Sequence, residues 1–547
     1  MPLGTEESVD PDYPRLIELM RPLREGSVTT TTRVLWVLAG LGALVQFAVL
    51  LIYSLNKFHH FDLSEDYGIV NQATYLIARG HLNPFDTIYQ DQFWRDQFSL
   101  LAWPLGALRL VARSGITLLV IQSLSLAATT FVLLLVAIRV LLRQHFSLAW
   151  RLVMLAGFGL LILTDPWLYE TASFDFHFQS IAALTLLLAV IGFLRQRPWL
   201  AWIMIGLTLL AGTSEILLVI GLGLGLLLLA QRRVQGLLVV AVGLGWLAVD
   251  LILGAHQSTT FALSYGYLSQ VHRQNPSLMA IIEGVLAHPG LPLHVLASRH
   301  SAIGEILGYS GVLGVLFGPA TMVTLLAIGA NGLQHSAAFL SLQSGGFQNF
   351  PEVVLLEMGT VLMGTWLLAR LRSSPRWVRW PLGGAMGVVV VMIAALGIDV
   401  DRGIPPQWLT VPPRVAAQLQ TVAIPADDEV VVSEGIVGRF ADRADVFAIF
   451  ARDQHFQACS STIFVVVAAR NGFEIDPPIR SAGIVRDLDN DHDAIMRLRD
   501  PQVHVYELQR QPVGAFLSFS SARGVKVSRV PAFGDERCTD EDGAALS

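Results

Sequence analysis

Long apolar runs dominate residues 33–398, and most have the length of a membrane-crossing helix. Such a helix needs about 20 apolar residues. Runs at 33–55, 115–138, 152–169, 178–194, 235–254, 352–371 and 380–398 are the clear candidates. Residues 199–230 are apolar almost throughout, about 48 Å as one helix, too long for one ordinary span. The polar interruption "GTSE", Gly212 to Glu215, predicts a split into two short helices. Residues 303–333 predict a similar split at Gly318-Pro319. The stretch 98–112, "FSLLAWPLGALRLVA", is apolar but holds Pro104 and ends near Arg109 and Arg113. It predicts a helix lying in the membrane interface.

The pattern changes after Asp399. "EVVVSEGIVGRFADRADVFAIF" reads as strand, short helix, strand, and "STIFVVVAA" as a β-branched strand. "RSAGIVRDLDNDHDAIMRLRD" reads as one helix, and "VHVYELQ" alternates like a strand. Residues 399–530 therefore predict a small α/β domain with its own core. "GIVGRF" lacks the glycine spacing of a nucleotide fingerprint. The end, 531–547, has the composition of a disordered acidic tail.

Charge sets the expected orientation. Arg139, Arg143 and Arg151 share one short loop, Arg195 and Arg197 another, and Arg232 and Arg233 a third. Arg370, Arg372, Arg376 and Arg379 form the last cluster. Basic short loops stay cytoplasmic. Two passes must then separate Arg197 from Arg232, which favours the split at "GTSE". The expected fold is mainly α, a polytopic bundle of about eleven spans at 33–398, with the α/β domain extracytoplasmic. One long tilted helix in each doubtful region is the competing arrangement. Residues 1–32 fall on the cytoplasmic side, and the connection 56–114 becomes an external loop.

Composition agrees with a multi-pass plasma-membrane protein: 53% hydrophobic and 15% charged residues, against about 25% charged in soluble proteins. The first run has no obvious small-residue cleavage site, so it reads as a retained span. A net charge of −6 gives no sign of a nucleic-acid partner. The two cysteines, Cys459 and Cys538, lie in the polar C-terminal region and could pair if that region is outside.

Several segments together resemble the DUF2079 family of bacterial polytopic membrane proteins, which is similar in architecture to GT-C glycosyltransferases. "EDYGIVNQATYLIARGHLNPF" resembles the first external segment, through Asp66, Gly68 and Gln72. "DQFSLLAWPLGAL" resembles the next motif, with Gln97 where the family usually has His. "FDFHFQSIA" matches at Phe174, Asp175, Phe176 and His177, and "GTSEILLVIGLGLGL" supplies Glu215. "VLAHPGLPL" and "GANGLQ" match later motifs around His288, Pro289 and Asn331, whereas "QSGGFQNFP" departs from the usual aromatic pattern. The resemblance spans roughly 60–540. It implies glycosyl transfer by architecture only: a polyprenyl-phosphate sugar donor from the membrane lipid and a cell-envelope glycan or protein acceptor. A non-catalytic transporter or envelope-assembly scaffold is the alternative.

Each candidate residue has a plain reading beside the chemical one. Ser64 can cap a helix running to Arg79, with Glu65 and Asp66 in a first turn that favours acids. If 62–66 were helical, Asp62 would share their face and repel them. The resemblance falls on Asp66, which as general base would take the proton of an acceptor hydroxyl. Alternation would put Asp175 and His177 on one side of "FDFHF" and the phenylalanines on the other. Asp175 would then orient His177 toward a sugar or phosphate. Glu215 is a helix-start acid or a cavity-facing carboxylate at membrane depth. Arg95 and Asp96 are loop charges, Asp96 a candidate substrate contact. Arg299 and His300 could bind a lipid phosphate or snorkel at the interface. No His, Cys and Glu set has zinc spacing. A divalent cation held by carboxylates and a lipid phosphate is compatible with the sequence.

Overall fold

The computed structural model describes residues 30–253, 264–269, 278–371 and 413–509, with breaks at 145, 337–339, 343–345, 451–453, 458, 461 and 469–477. It also describes strands 515–519 and 528–531 and parts of 384–398. The expected tail 531–547 lies outside the described residues but for Pro531, as does most of 380–398.

The chain is mainly helical. Among the described residues, five helices are long and apolar enough to cross a membrane: Thr30–His59, Ile116–Arg143, Leu148–Ser173, Arg233–Leu253 and Gly346–Leu371. A sixth candidate is the pair Met279–Ala287 and Gly290–Ser298, bent by 90°. Gln179–Leu194, Pro198–Leu209 and Ser214–Leu227 are shorter apolar helices. The break at "GTSE" is present: one helix ends at Leu209 and the next starts at Ser214. The break near Gly318 is present too, where a 3-10 turn over Val312–Leu316 precedes the helix Gly318–Gly332.

The chain divides into two compact units. The helical unit holds residues up to Leu50, Gln97–Leu100 and Gln122–Ile404. Its core is a continuous apolar cluster drawn from most of its helices, including Leu187, Val219, Val323, Val354 and Leu356. Helix Ser214–Leu227 approaches Gly318–Gly332 closely because Gly221 and Gly225 face its backbone. A Cβ at Gly221 would stand 2.7 Å from the Val323 Cα.

The second unit is composite: Leu51–Asp96 and Leu101–Ile121 together with Pro405–Ser547. The segment expected as a loop of the membrane domain thus belongs with the C-terminal α/β fold. A five-stranded sheet runs in the order Val446–Ile449, Glu429–Ser433, Ile463–Ala468, Val503–Leu508, Ala494–Arg499. The first three strands are parallel, and the last two run antiparallel to their neighbours. Every residue of Glu429–Ser433 and Ile463–Ala468 is buried, as befits strands covered on both faces. Helix Pro478–Asp489 packs Ile484 and Leu488 on this sheet. The single helix expected over 480–500 is a correction. It stops at Asp489, and Ala494–Arg499 is an edge strand. Asn490, Asp491, His492 and Asp493 supply the turn, and pairing with Val503–Leu508 overrides local helix propensity. A second sheet joins strands 454–457, 515–519 and 528–531.

The helix Glu65–Ile77 docks on the 3-10 turn Glu434–Phe440 through two glycines. A Cβ on Gly68 would meet Ile88 at 2.9 Å and Val437 at 3.3 Å, and one on Gly438 would meet Leu63 and Tyr67 at 2.8 Å. The Gly438 N–H donates to the Leu63 carbonyl at 3.0 Å. The strand edge at Val446 is closed by Thr87, whose hydroxyl donates to the Val446 carbonyl and accepts from its N–H. Gln72 fixes Thr87 through its hydroxyl (2.7 Å) and N–H (3.1 Å), and donates to the Ala444 carbonyl (2.6 Å). An open edge is thereby covered by side chains rather than by another chain.

The stretch 98–112 forms the helix Ala102–Arg109. It keeps an exposed apolar side at Leu108, Leu110 and Val111. Arg109, however, is buried: it donates to Asn71 and Thr74 and pairs with Asp442.

Candidate active site

Among the described residues, each unit carries a polar centre that includes residues singled out in the sequence. In the composite unit, Ser64 stands at the N-cap of helix Glu65–Ile77 without a side-chain capping bond, and Glu65 and Asp66 occupy the first turn. Asp62 precedes the helix and does not share its face. The helix ends at Ile77, before Arg79, and Gly80 takes a positive φ of 103° just beyond. The phenol of Tyr89 lies within the electrostatic reach of Glu65, Asp66, Asp96 and Glu434. Burial first, then those four carboxylates, push its pKa well above the usual tyrosine value. Its ring stacks on Phe450 at 5.3 Å. Asp96 ends the short helix Phe93–Asp96, while Arg95 pairs with Asp91 at 3.3 Å.

Asp86 lies beside this group. It accepts the N–H of Ile88 at 2.9 Å and of Tyr89 at 3.4 Å, closing an Asx turn. Burial, with Asp96 second, raises its pKa to about 8. The acids therefore form a field that favours protonated, hydroxylic or cationic groups beside them.

In the helical unit, the chain Phe174–His177 is irregular, and the expected alternation fails. Phe174 and His177 lie together against Phe347, at centroid distances of 4.7 and 3.6 Å. Phe176 and Phe178 are buried edge to face. Gln122 pins the segment: its amide donates to the carbonyls of Thr171 and Asp175 and accepts from the His177 N–H. Asp175 is buried two residues from His177. Just beyond, Gln179 reaches Ser214, whose hydroxyl donates to Glu215 at 3.0 Å. Glu215 is fully buried. Across from it stands Glu352, also fully buried and close enough to interact with it electrostatically. Thr213 donates to Asp250 at 3.1 Å.

Asn331 donates to Asn349 at 2.9 Å, tying the "GANGLQ" helix end to the turn that carries Phe347. Arg299 orders the same region. Its guanidinium donates to the carbonyls of Gln334 (2.7 Å), His335 (3.2 Å), Ser336 (3.3 Å) and Asn331 (3.5 Å). Those bonds hold the turn after helix Gly318–Gly332 instead of presenting an open cation. His300 bonds the Ala297 carbonyl at 3.0 Å.

The helical unit thus brings His177 and Phe347 together, and Gln179 and Glu215 with Glu352. Asp66, Glu65 and Asp96 belong to the other unit. Sequence reasoning missed Glu352, Phe347, Gln122, Tyr89, Asp86 and Glu434. Glu352 carried a usable signal, an acid at the head of an apolar run, where ionisable groups are functional candidates by default. Among the described residues, no group of three or more His, Cys, Asp or Glu is arranged to hold a metal ion. No protein-family profile and no curated protein matches the chain.

Proposed function

We propose that the protein is an integral-membrane transferase of the GT-C kind, moving a sugar from a polyprenyl-phosphate donor to a cell-envelope acceptor. The observation that carries this reading is the placement of Glu65 and Asp66 in the first turn of the helix that docks on Glu434–Phe440, with Tyr89 within electrostatic reach of both acids and of Asp96 and Glu434. Asp66 acts as the base. The acceptor oxygen bonds to the anomeric carbon as the bond from that carbon to the phosphate oxygen breaks. Its proton passes to Asp66, and the polyprenyl phosphate leaves with the electron pair. Asp96 and Glu65 bind acceptor hydroxyls. The polar centre of the helical unit, with Asp175, His177 and Glu215, binds sugar hydroxyls in its own right, and Arg299 orders the turn beside its Phe347.

The composite unit faces the outside and the N-terminus the cytoplasm in this reading, with about eleven passes between them. Cys459 is disulfide-bonded, which supports an oxidising surrounding for that unit. Cys538, the chain's other cysteine, lies outside the described residues.

A transporter is the second reading, favoured by one observation: Glu215 and Glu352 are buried carboxylates at the starts of apolar helices.

Membranes carrying wild type or Asp66→Asn, at equal protein level, decide between base and helix-start acid. Transfer from polyprenyl-phosphate sugars should fall about 10²–10⁴-fold in the variant, with folding retained. If Asp66 only supports its helix, the change costs about 0.3–1 kcal/mol of local stability and activity persists. Full activity in Asp66→Asn removes it from the mechanism, and no transfer by the wild type from any such donor shifts the assignment to the transporter.

A further inference from the structure

Helix Ala102–Arg109 is inverted for a helix that faces water. Its one charged residue, Arg109, is buried together with Ala102, Leu105 and Gly106. Gly106 lets this side lie against helix Glu65–Ile77: a Cβ there would stand 2.5 Å from the Ile77 side chain and 3.3 Å from the Thr74 carbonyl. The positions left outside are all apolar: Trp103 in part, then Pro104, Ala107 and Leu108. At helical spacing Leu110 falls beside Trp103 and Ala107, and Val111 beside Pro104 and Leu108. Val111 is 87% exposed. A helix packed on one side normally turns polar residues to water on the other. A second segment joins this face. The Trp103 indole N–H donates to the Leu82 carbonyl at 2.8 Å, and the Asn83 side chain accepts the Trp94 backbone N–H at 3.0 Å. The rings of Trp94 and Trp103 pack with centroids 5.4 Å apart. The loop is therefore fixed, and it holds the Leu82 side chain 65% exposed.

A contiguous exposed apolar face marks a protein or membrane contact, and its place in the chain says which. Val111 and Ile116, the first residue of the membrane-length helix Ile116–Arg143, are at most about 18 Å apart even as extended chain. Turns shorten that link: the Ala112 N–H donates to the Leu108 carbonyl at 3.0 Å and the Thr117 N–H to the Ser114 carbonyl at 3.1 Å. No Asp or Glu occurs between Asp96 and Asp165. The charge exposed in the link is Arg113, a cation suited to lipid phosphates, and tryptophan suits the interfacial belt. We propose that Leu82, Trp103, Leu108, Leu110 and Val111 form a lipid-docking face, which seats the composite unit in the phospholipid interface where helix Ile116–Arg143 enters the bilayer. The face stands independently of the transfer reading.

The full chain, without its native cysteines, is placed singly in phospholipid nanodiscs with one nitroxide at Leu82→Cys, Leu110→Cys, Val111→Cys or the exposed position Ala426→Cys. Collisions with oxygen, which concentrates in lipid, and with a water-soluble nickel chelate read the depth of each label. The first three should show an oxygen-to-nickel ratio several-fold above that at Ala426→Cys. Nickel access as high as at Ala426→Cys puts the face in water and overturns the proposal. Shielding from both reagents, or shielding from nickel only in discs that hold two chains, makes the face a protein contact and overturns it too. Unmodified wild type gives a readout that needs no variant. A diazirine carried on a phospholipid should crosslink to peptides covering 101–113 and 81–84 and not to those covering 422–428. No crosslink within 101–113 overturns the face.

Discussion

Asp86→Asn isolates the cost of one buried acid in the composite unit. The side chain is 2% exposed, and its pKa stands at about 8 against an ordinary 3.8. Because the folded-state value is the higher one, the stability linked to this group is fully present below about pH 4. It drains away as pH rises through about 8, where the folded state carries an ionised buried carboxylate. The rise is a factor of about 10⁴ in proton affinity, on the order of 5–6 kcal/mol at 1.36 kcal/mol per tenfold. Only the part between pH 6 and about 8 falls within the assay, about two tenfold steps, so up to about 2.7 kcal/mol is the expected measurable loss. Asparagine keeps the size of the side chain and an oxygen for the Ile88 N–H, but it cannot ionise. The assay is amide hydrogen exchange on the full-length protein at pH 6 and pH 9, corrected for intrinsic rates and read on peptides covering 83–92 and 443–450. Wild type should lose protection there by up to about 100-fold between the two pH values. Asp86→Asn should hold it. Equal pH dependence in the two proteins would refute the assignment of that loss to Asp86.

Arg109→Met should destabilise the composite unit by about 3–5 kcal/mol, since it strips a buried partner from Asp442 and donors from Asn71 and Thr74. Limited proteolysis of the full chain reads this, and a change below about 0.5 kcal/mol would show that the pair is idle. For orientation, single cysteines at the exposed positions Ala149 and Ala426, in a background without the native cysteines, are treated with an impermeant reagent in intact cells. Ala426→Cys should label and Ala149→Cys should not; the reverse inverts the topology.

What the sequence made legible was local. The strand, turn and strand over 429–450 and the interruption at Gly212–Glu215 follow from β-branched runs and from polar residues breaking an apolar one. The 480–500 stretch was misread because its strand competes with helix propensity, and only pairing with Val503–Leu508 decides it. The "FDFHF" alternation assumed a strand where Gln122, over fifty positions away, holds an irregular turn. Gly68 and Gln72 belonged to a motif read for chemistry, but their contacts with Ile88, Val437, Thr87 and Ala444 are structural. Partners this distant in sequence leave no periodic trace. The acid group about Tyr89 was hidden for the same reason: Glu434 joins it only after the chain ends come together.

The closure of the sheet edge by Thr87 and Gln72 has a consequence for biosynthesis. Gln72 and its partner Ala444 are separated by 372 positions. At about 5–20 residues per second of synthesis, the helix Glu65–Ile77 waits roughly 20–70 s for the turn it packs against. During that interval the side of this helix that meets Val437 and Gly438 in the finished protein is uncovered. The nascent chain therefore carries a sticky, half-made domain through the insertion of all its later helices. A ribosome stall or premature stop before Glu429 would strand it in that state. A membrane-bound chaperone or protease would see such a chain as unfolded even with its spans correctly placed.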